Sequence, residues 1–139
     1  MLSNARKFVV EFGHCDPSGI VYNPNYFIWF DQSVHALLAA GGLSLKGLIQ
    51  DCGIDGIPVV DYKCKFQSPA RWGDELAIET GVAALHRCAF DIQHKITCKG
   101  AVIAECTETR VCTAIDPQQK RPKAHPLPDR LVHAFSGRG

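Results

Sequence analysis

Asp16 is the residue whose setting most plainly suggests chemistry. It opens the run Asp16-Pro17-Ser18-Gly19, and Asn23-Pro24 follows shortly after. The proline biases Asp16 away from the helical region, and Gly19 supplies the dihedrals needed to reverse the chain, so the carboxylate is expected on a rigid turn. Asn23 is a favoured helix cap, and Pro24 at the first helical position gives up an amide that would lack a partner anyway. A carboxylate on a fixed turn beside a helix N-terminus carries both halves of an acyl-transfer site. The helix end offers amides and partial positive charge to an oxyanion, and the carboxylate serves as nucleophile or as base towards water. The same four residues are also the ordinary composition of a solvated turn, and from them alone that reading stays open. Other chemistries find less in the sequence. Cys15 follows His14, but neighbours on an extended chain point to opposite faces. The six histidines lack metal-ligand spacing, and the seven cysteines contain no C-x-x-C pair, so no metal site or disulfide framework is expected. The cysteines should be reduced, mostly buried, small apolar residues.

The elements that must hold Asp16 can be read in order. A short strand is expected over Arg6 to Phe12, leading into the turn. From Pro24 to Ala40 apolar residues fall on almost every face, and Gly41-Gly42 ends the run, which predicts a long helix buried on most sides. Ser44 caps a shorter helix over Leu45 to Asp51. Four strands follow, alternating apolar and polar residues around Val60 to Phe66, Leu76 to Val82, Phe90 to Cys98 and Ala101 to Ala114, with Lys99-Gly100 as a tight hairpin. Alternation blurs in the last strand, where Glu105, Thr107 and Thr109 share a face with Ile103 and Val111, as a bulge or an interface strand would cause. The tail from about residue 116 is polar, basic and partly loop, with a short helical piece over Asp129 to Phe135.

The 139 residues suit a single domain, and one strand, one buried helix and four antiparallel strands make an α+β arrangement of a sheet wrapped around a central helix. Such a sheet needs its edges covered, and a second copy of the chain would cover them. A net charge of +1 gives no general attraction to nucleic acid or membrane. No signal peptide or membrane span is evident, so the cytoplasm is the expected compartment.

The run from Glu11 to Asp31, with the D-P-S-G-I-V turn and the P-N-Y helix start, resembles the signature of the 4-hydroxybenzoyl-CoA thioesterase family of hot-dog proteins. The likeness extends over about Phe8 to Val111 and is also marked at the I-P-V-V of Ile57 to Val60. It implies a hot-dog fold and an acyl-CoA thioesterase that needs no metal or redox cofactor, coenzyme A entering only as part of the substrate. It further implies a homodimer or a dimer of dimers, with sites at the subunit interface. In such relatives the residue matching Asp16 attacks or activates water at the thioester carbonyl, and the helix-start amide matching Asn23 holds the carbonyl oxygen. Some have a His at Asn23, and its absence here removes any mechanism that needs that side chain. An Asp matching Asp31 meets a phenol in the hydroxybenzoyl enzyme, where a Thr and a Ser match Ile57 and Asp61, so the acyl pocket is partly changed. The relatives' basic turn reads His86-Arg87-Cys88 here, leaving Arg87 as the coenzyme A cation, with Arg71 and the Lys120 to Lys123 run as compensating charges. The alternatives are a thioesterase acting on fatty acyl-CoA or acyl carrier protein, and an acyl-CoA-binding protein without turnover. A hot-dog dehydratase fits less well, because neither His14 nor His35 stands where its base is expected.

Overall fold

The computed structural model describes residues 1–137. Five strands, β1 (Ser3–Val9), β2 (Val59–Phe66), β3 (Glu75–Leu85), β4 (Ala89–Cys98) and β5 (Ala101–Val111), form one antiparallel sheet in the order β1-β3-β4-β5-β2. Helix α1 (Pro24–Ala40) lies against it, α2 (Leu45–Cys52) follows, and α3 (Asp129–Phe135) closes one end. A two-stranded ribbon pairs β6 (Thr113–Ile115), where the last expected strand ends, with β7 (Pro122–Ala124) in the tail expected to be partly loop. This is the hot-dog arrangement.

The helix boundaries follow local chemistry. Pro24 sits at the start of α1, and Gly42 at φ 77° turns the chain out beyond its end. Ser44 caps α2 by accepting the Gly47 amide at 3.0 Å, as the sequence predicts. Lys99 and Gly100 both adopt positive φ, the conformation of a two-residue hairpin that matches sheet twist.

Two expectations need correction and one a qualification. The first strand ends at Val9, where its pairing with Glu75 stops; Phe12–His14 is instead a single 3-10 turn, tied by the Glu11 amide donating to His14 Nδ1 at 2.9 Å. Helix α1 is buried on most sides, as expected, but Ile28, an apolar residue, joins Asp31, Gln32 and His35 in its one exposed stripe. The cysteines are not all free: Cys64 and Cys106 face each other across β2 and β5, with Cα atoms 4.1 Å apart, and are joined as a disulfide.

The blurred alternation in β5 has a definite cause. Ile96 pairs with Ala104 and Thr97 with Val102, so Ile103 is an extra residue bulging out of register. Beyond it the row facing α1 is Ala104, Cys106, Glu108 and Arg110, the opposite set from Glu105, Thr107 and Thr109. Two charged residues therefore point into the core.

That core has two apolar clusters along α1. Tyr26, Trp29 and Phe30 pack with Val10, Leu76, Ile78 and Ile96, whereas Val34, Leu37 and Leu38 pack with Phe90, Ile92, Leu131 and Phe135. Buried polar residues, Ser33, Thr80, His94 and Glu108 among them, lie between the two.

Candidate active site

Asp16 sits at the start of a loop closed by backbone pairing. Cys15 bridges to Val21, Ile20 bridges to Arg71, and the Asp16 amide donates to Ile20 O at 3.0 Å. Inside it, Ser18 donates twice to the same carboxylate oxygen: its amide reaches Asp16 Oδ1 at 2.8 Å, and its hydroxyl contacts the same atom. An Asp that hydrogen-bonds the backbone two residues on is an Asx turn, which fixes the side chain as well as the chain direction. Oδ2 is left without a partner in the loop, and its lone pairs are free for an electrophile or a water.

The helix start is fastened to this loop. His14 O accepts from the Tyr22 amide at 2.9 Å and from Asn25 Nδ2 at 2.7 Å, while the His14 ring stands edge-on to Trp29 with centroids 5.1 Å apart. Asn23 stands at the cap position expected of it, but its side chain makes no capping bond, and its backbone is already helical at φ −47° and ψ −42°. The turn has begun one residue early, since the Asn25 amide donates to Tyr22 O at 2.9 Å and Tyr26 to Asn23 O at 3.1 Å. With Pro24 lacking an N–H, the Asn23 amide is the unspent donor of this first turn.

Asp16 lines a cleft of about 420 Å³ with Phe12, Cys15, Pro17, Gly19 and Trp72. Asn23 borders a second, of about 270 Å³, with Ile20, Tyr26, Phe66 and Ser68. Phe12 and Trp72, in edge contact at 5.3 Å, are 73% and 64% exposed, so the rim beside Asp16 is aromatic and open. Another hollow, of about 700 Å³, is a trough on the far face of the sheet lined by residues such as Glu79, Gln93 and Lys95, remote from this chemistry.

Asp31 lies eight residues after Asn23 on the exposed stripe of α1, about 12 Å along the axis. It has a partner within the same chain: Arg110 Nη2 donates to its Oδ1 at 2.9 Å. Burial works against the Arg110 charge, but Glu108 and Asp31 more than offset this and hold the guanidinium above its ordinary value. Nearby Tyr62, packed edge-on to Phe27, has its phenol pushed up chiefly by burial and then by the Glu108 charge.

The remaining predicted residues divide. Ile57 is buried in the core of the single chain, and its carbonyl accepts from Arg110 Nη1 at 3.3 Å. Asp61 is exposed on β2, beside the irregularity between Val59 and Asp61. Arg71 is exposed and adjoins the Asp16 loop through its bridge to Ile20. Arg87 is exposed in the β3–β4 turn, with Nη1 3.5 Å from Cys88 Sγ. Arg71 precedes β3 and Arg87 follows it, so the length of that strand separates them by roughly 33 Å. The two cations do not meet within one chain. Lys120 to Lys123 lies exposed at the β6–β7 ribbon.

Sequence reasoning missed Ser18, Asn25 and the set Arg110, Glu108 and His94. The Asx-turn composition could have singled out Ser18. His94 is in phase with Phe90, Ile92 and Ile96, a polar residue in an apolar row. Glu108 and Arg110 are hidden by the bulge. Among the described residues no group of three or more His, Cys, Asp or Glu is placed to hold a metal ion, and no helix is long and apolar enough to cross a membrane.

Known proteins resemble this chain in both sequence and shape. The family model described as the thioesterase-like superfamily matches residues 10–135. The 1,4-dihydroxy-2-naphthoyl-CoA hydrolase of Synechococcus elongatus is 28% identical over 123 residues, 88% of each chain. The crystal structure of a 4-hydroxybenzoyl CoA thioesterase mutant complexed with 4-hydroxybenzoyl CoA superposes with a TM-score of 0.88 at 28% identity, covering 97% of this chain and 99% of that one. A gentisyl-coenzyme A thioesterase structure gives 0.82 at 32% identity, covering 95% and 99%.

Proposed function

The chain belongs to the thioesterase-like superfamily and is a thioester hydrolase of the hot-dog acyl-CoA thioesterase family, and from that premise we propose that it hydrolyses a hydroxylated aryl thioester of coenzyme A. The products are the free acid and coenzyme A. One observation carries the chemistry: Asp16 is clamped by Ser18 at Oδ1, with Oδ2 left open, on a loop fastened to a helix start that keeps the Asn23 amide unspent.

Asp16 Oδ2 acts as nucleophile at the thioester carbonyl or as base towards the attacking water. As charge builds on the carbonyl oxygen, the Asn23 amide and the positive end of α1 stabilise it, and collapse breaks the carbon–sulfur bond to release the thiolate; where Asp16 is the nucleophile, water then cleaves the acyl–Asp16 anhydride to the free acid, and in either route the proton lost by water goes to the thiolate. Neither step needs a metal or a redox cofactor. The acyl group lies along α1 towards Asp31, whose distance from Asn23 suits one aromatic ring. The similar proteins named above act on aromatic acyl groups that carry hydroxyls, which supports the same class here. Ile57 and Asp61 stand in place of the relatives' polar pair, so the particular aryl group is expected to differ from 4-hydroxybenzoyl.

The coenzyme A phosphates are assigned to Arg71 on the Asp16 side and to Arg87 of a second copy, since within one chain Arg87 lies too far away. A homodimer is therefore the minimal active unit. Its second copy is expected to cover the apolar residues exposed around the site and the free edge of β2, among them Tyr22, Ile28, Val60 and Phe66.

The test is thiol release from 4-hydroxybenzoyl-CoA, unsubstituted benzoyl-CoA, straight-chain acyl-CoA and acylated carrier protein, with wild type, Asp16→Asn and Asp31→Ala. Asp16→Asn keeps the turn but is neither nucleophilic nor basic, so the rate on the best substrate is expected to fall by on the order of 10³ or more. A variant within about tenfold of wild type sinks the assignment of Asp16. Asp31→Ala is expected to erase the hydroxyl preference by ~1 to 3 kcal/mol in kcat/KM. Best turnover of straight-chain substrates, indifferent to Asp31→Ala, replaces the aryl reading with a general acyl-CoA thioesterase.

A further inference from the structure

Between the two apolar clusters runs a line of polar side chains that the hydrolysis itself does not use. Thr80 Oγ1 lies 2.8 Å from His94 Nδ1, and His94 Nε2 lies 2.5 Å from Glu108 Oε1. Glu108 Oε2 then accepts from Arg110 Nε at 2.8 Å, and Arg110 Nη2 donates to Asp31 Oδ1 at 2.9 Å. Exposure changes sharply along the line: the side chains of His94 and Glu108 are 0% exposed, Arg110 4% and Asp31 54%. The line starts in the core and surfaces at one carboxylate.

The direction of each bond follows from the groups. A guanidinium only donates, so Arg110 Nε gives its hydrogen bond to Glu108 Oε2, while His94 Nε2 meets the other oxygen. Arg110 has three donors placed on three elements: Glu108 of β5, the Ile57 carbonyl ahead of β2, and Asp31 of α1. A planar fork held at three points cannot swing without leaving Glu108 buried and half-paired, which is costly. Phe30 stacks on His94 with centroids 4.7 Å apart, clamping the helix residue next to Asp31 to the same line. The fork occupies only Oδ1. On the side of the other oxygen, His35 Nε2 stands 3.9 Å from Oδ2, beyond hydrogen-bond length.

We propose that Arg110 is the positioning residue of the acyl pocket: anchored by Glu108 and His94, it fixes Asp31 so that Oδ2 stands ready to accept a ring hydroxyl of the substrate, and so sets the preference for hydroxylated aryl groups. This rests on the hydroxyaryl reading above. A network that served the core alone would affect stability without touching selectivity. Arg110 makes no contact with the reacting carbonyl, so it acts through Asp31.

The experiment compares kcat/KM for 4-hydroxybenzoyl-CoA and for benzoyl-CoA, which differ by one hydroxyl, in wild type and Arg110→Lys, with thermal melts alongside. Lysine keeps the charge but not the three-point fork. The preference ratio is expected to fall about tenfold or more, with benzoyl-CoA turnover changed less than about threefold. A folded Arg110→Lys with the wild-type ratio overturns the proposal and leaves the aryl reading intact. A wild type without any hydroxyl preference overturns both, and that outcome is visible before any variant is made. Should Arg110→Lys fail to fold, Glu108→Gln has the same shape and loosens the fork at Nε; a ratio lowered at least about threefold supports the proposal, and an unchanged ratio overturns it.

Discussion

Ser18 has a chemical consequence that its small size conceals. Two donors on Asp16 Oδ1 orient the carboxylate and occupy that oxygen, leaving Oδ2 as the open end. Removing the hydroxyl keeps the backbone bond, and with it the Asx turn, so Ser18→Ala should remain folded with KM little changed. Its kcat is expected to drop about threefold to tenfold, the loss of one orienting hydrogen bond of ~1 kcal/mol. Steady-state kinetics on the best aryl substrate checks this, and a loss as deep as that of Asp16→Asn would make Ser18 a direct participant. At the same scale, Asp31 is only half legible in the sequence. Its place on α1 and its polar neighbours Gln32 and His35 can be read from helical spacing, but its partner cannot. Arg110 is 79 residues away, on a strand whose phase is reversed by one bulged residue. No pattern within a short window reports a contact of that separation.

Elements built from a single period were predictable, and those set by pairing between distant segments were not. Helix α1, the Ser44 cap, the Lys99-Gly100 hairpin and α3 all rest on residues within a turn or two of one another, and each occurs where the sequence places it. The strand ends, the ribbon of β6 and β7 in the tail and the Cys64–Cys106 bridge depend on what lies opposite, which one strand does not record. The Asp16 loop combines both cases. Its turn was legible from Pro17 and Gly19, but its fastening to α1 by Asn25 was not, because Asn25 appears in sequence only as part of the helix start. That fastening carries a prediction. Asn25→Ala removes the bond to His14 O and is expected to loosen the loop relative to the Asn23 amide, lowering kcat about tenfold, while stability falls by ~1 kcal/mol or less. Parallel melts and kinetics separate the two effects. A loss of activity no greater than the loss of folded protein would show that the loop holds its place without Asn25.

On the scale of the whole molecule, the sheet has two different faces and two different ends. Its outer face carries Glu79, Lys95, Glu105 and Lys65 in cross-strand register, alternating in sign, as suits a solvated surface. Its ends hold the two cations singled out for coenzyme A, separated by the length of β3. If one coenzyme spans Arg71 of one copy and Arg87 of the other, Arg71→Ala and Arg87→Ala should each raise KM several-fold with a smaller effect on kcat. The effect should shrink as salt rises. Wild-type activity itself should disappear at protein concentrations where sedimentation shows monomer. Unchanged KM in both variants at low salt would move the phosphate contact to the Lys120 to Lys123 ribbon. The division of the core into two apolar clusters by a polar seam bears on something else, the fidelity with which the chain finds its fold. Slipping β4 against β5 by two residues would keep every side chain on its proper face, so apolar matching alone discriminates weakly against it. The seam adds discrimination: a slip that carries His94 away from Glu108, to stand opposite Ala104, breaks their buried bond and takes one of the two partners from Glu108, at a cost of ~1 to 3 kcal/mol. The polar residues that steady the pocket thereby act as a combination lock on strand alignment, separating the native pairing from its nearest decoys.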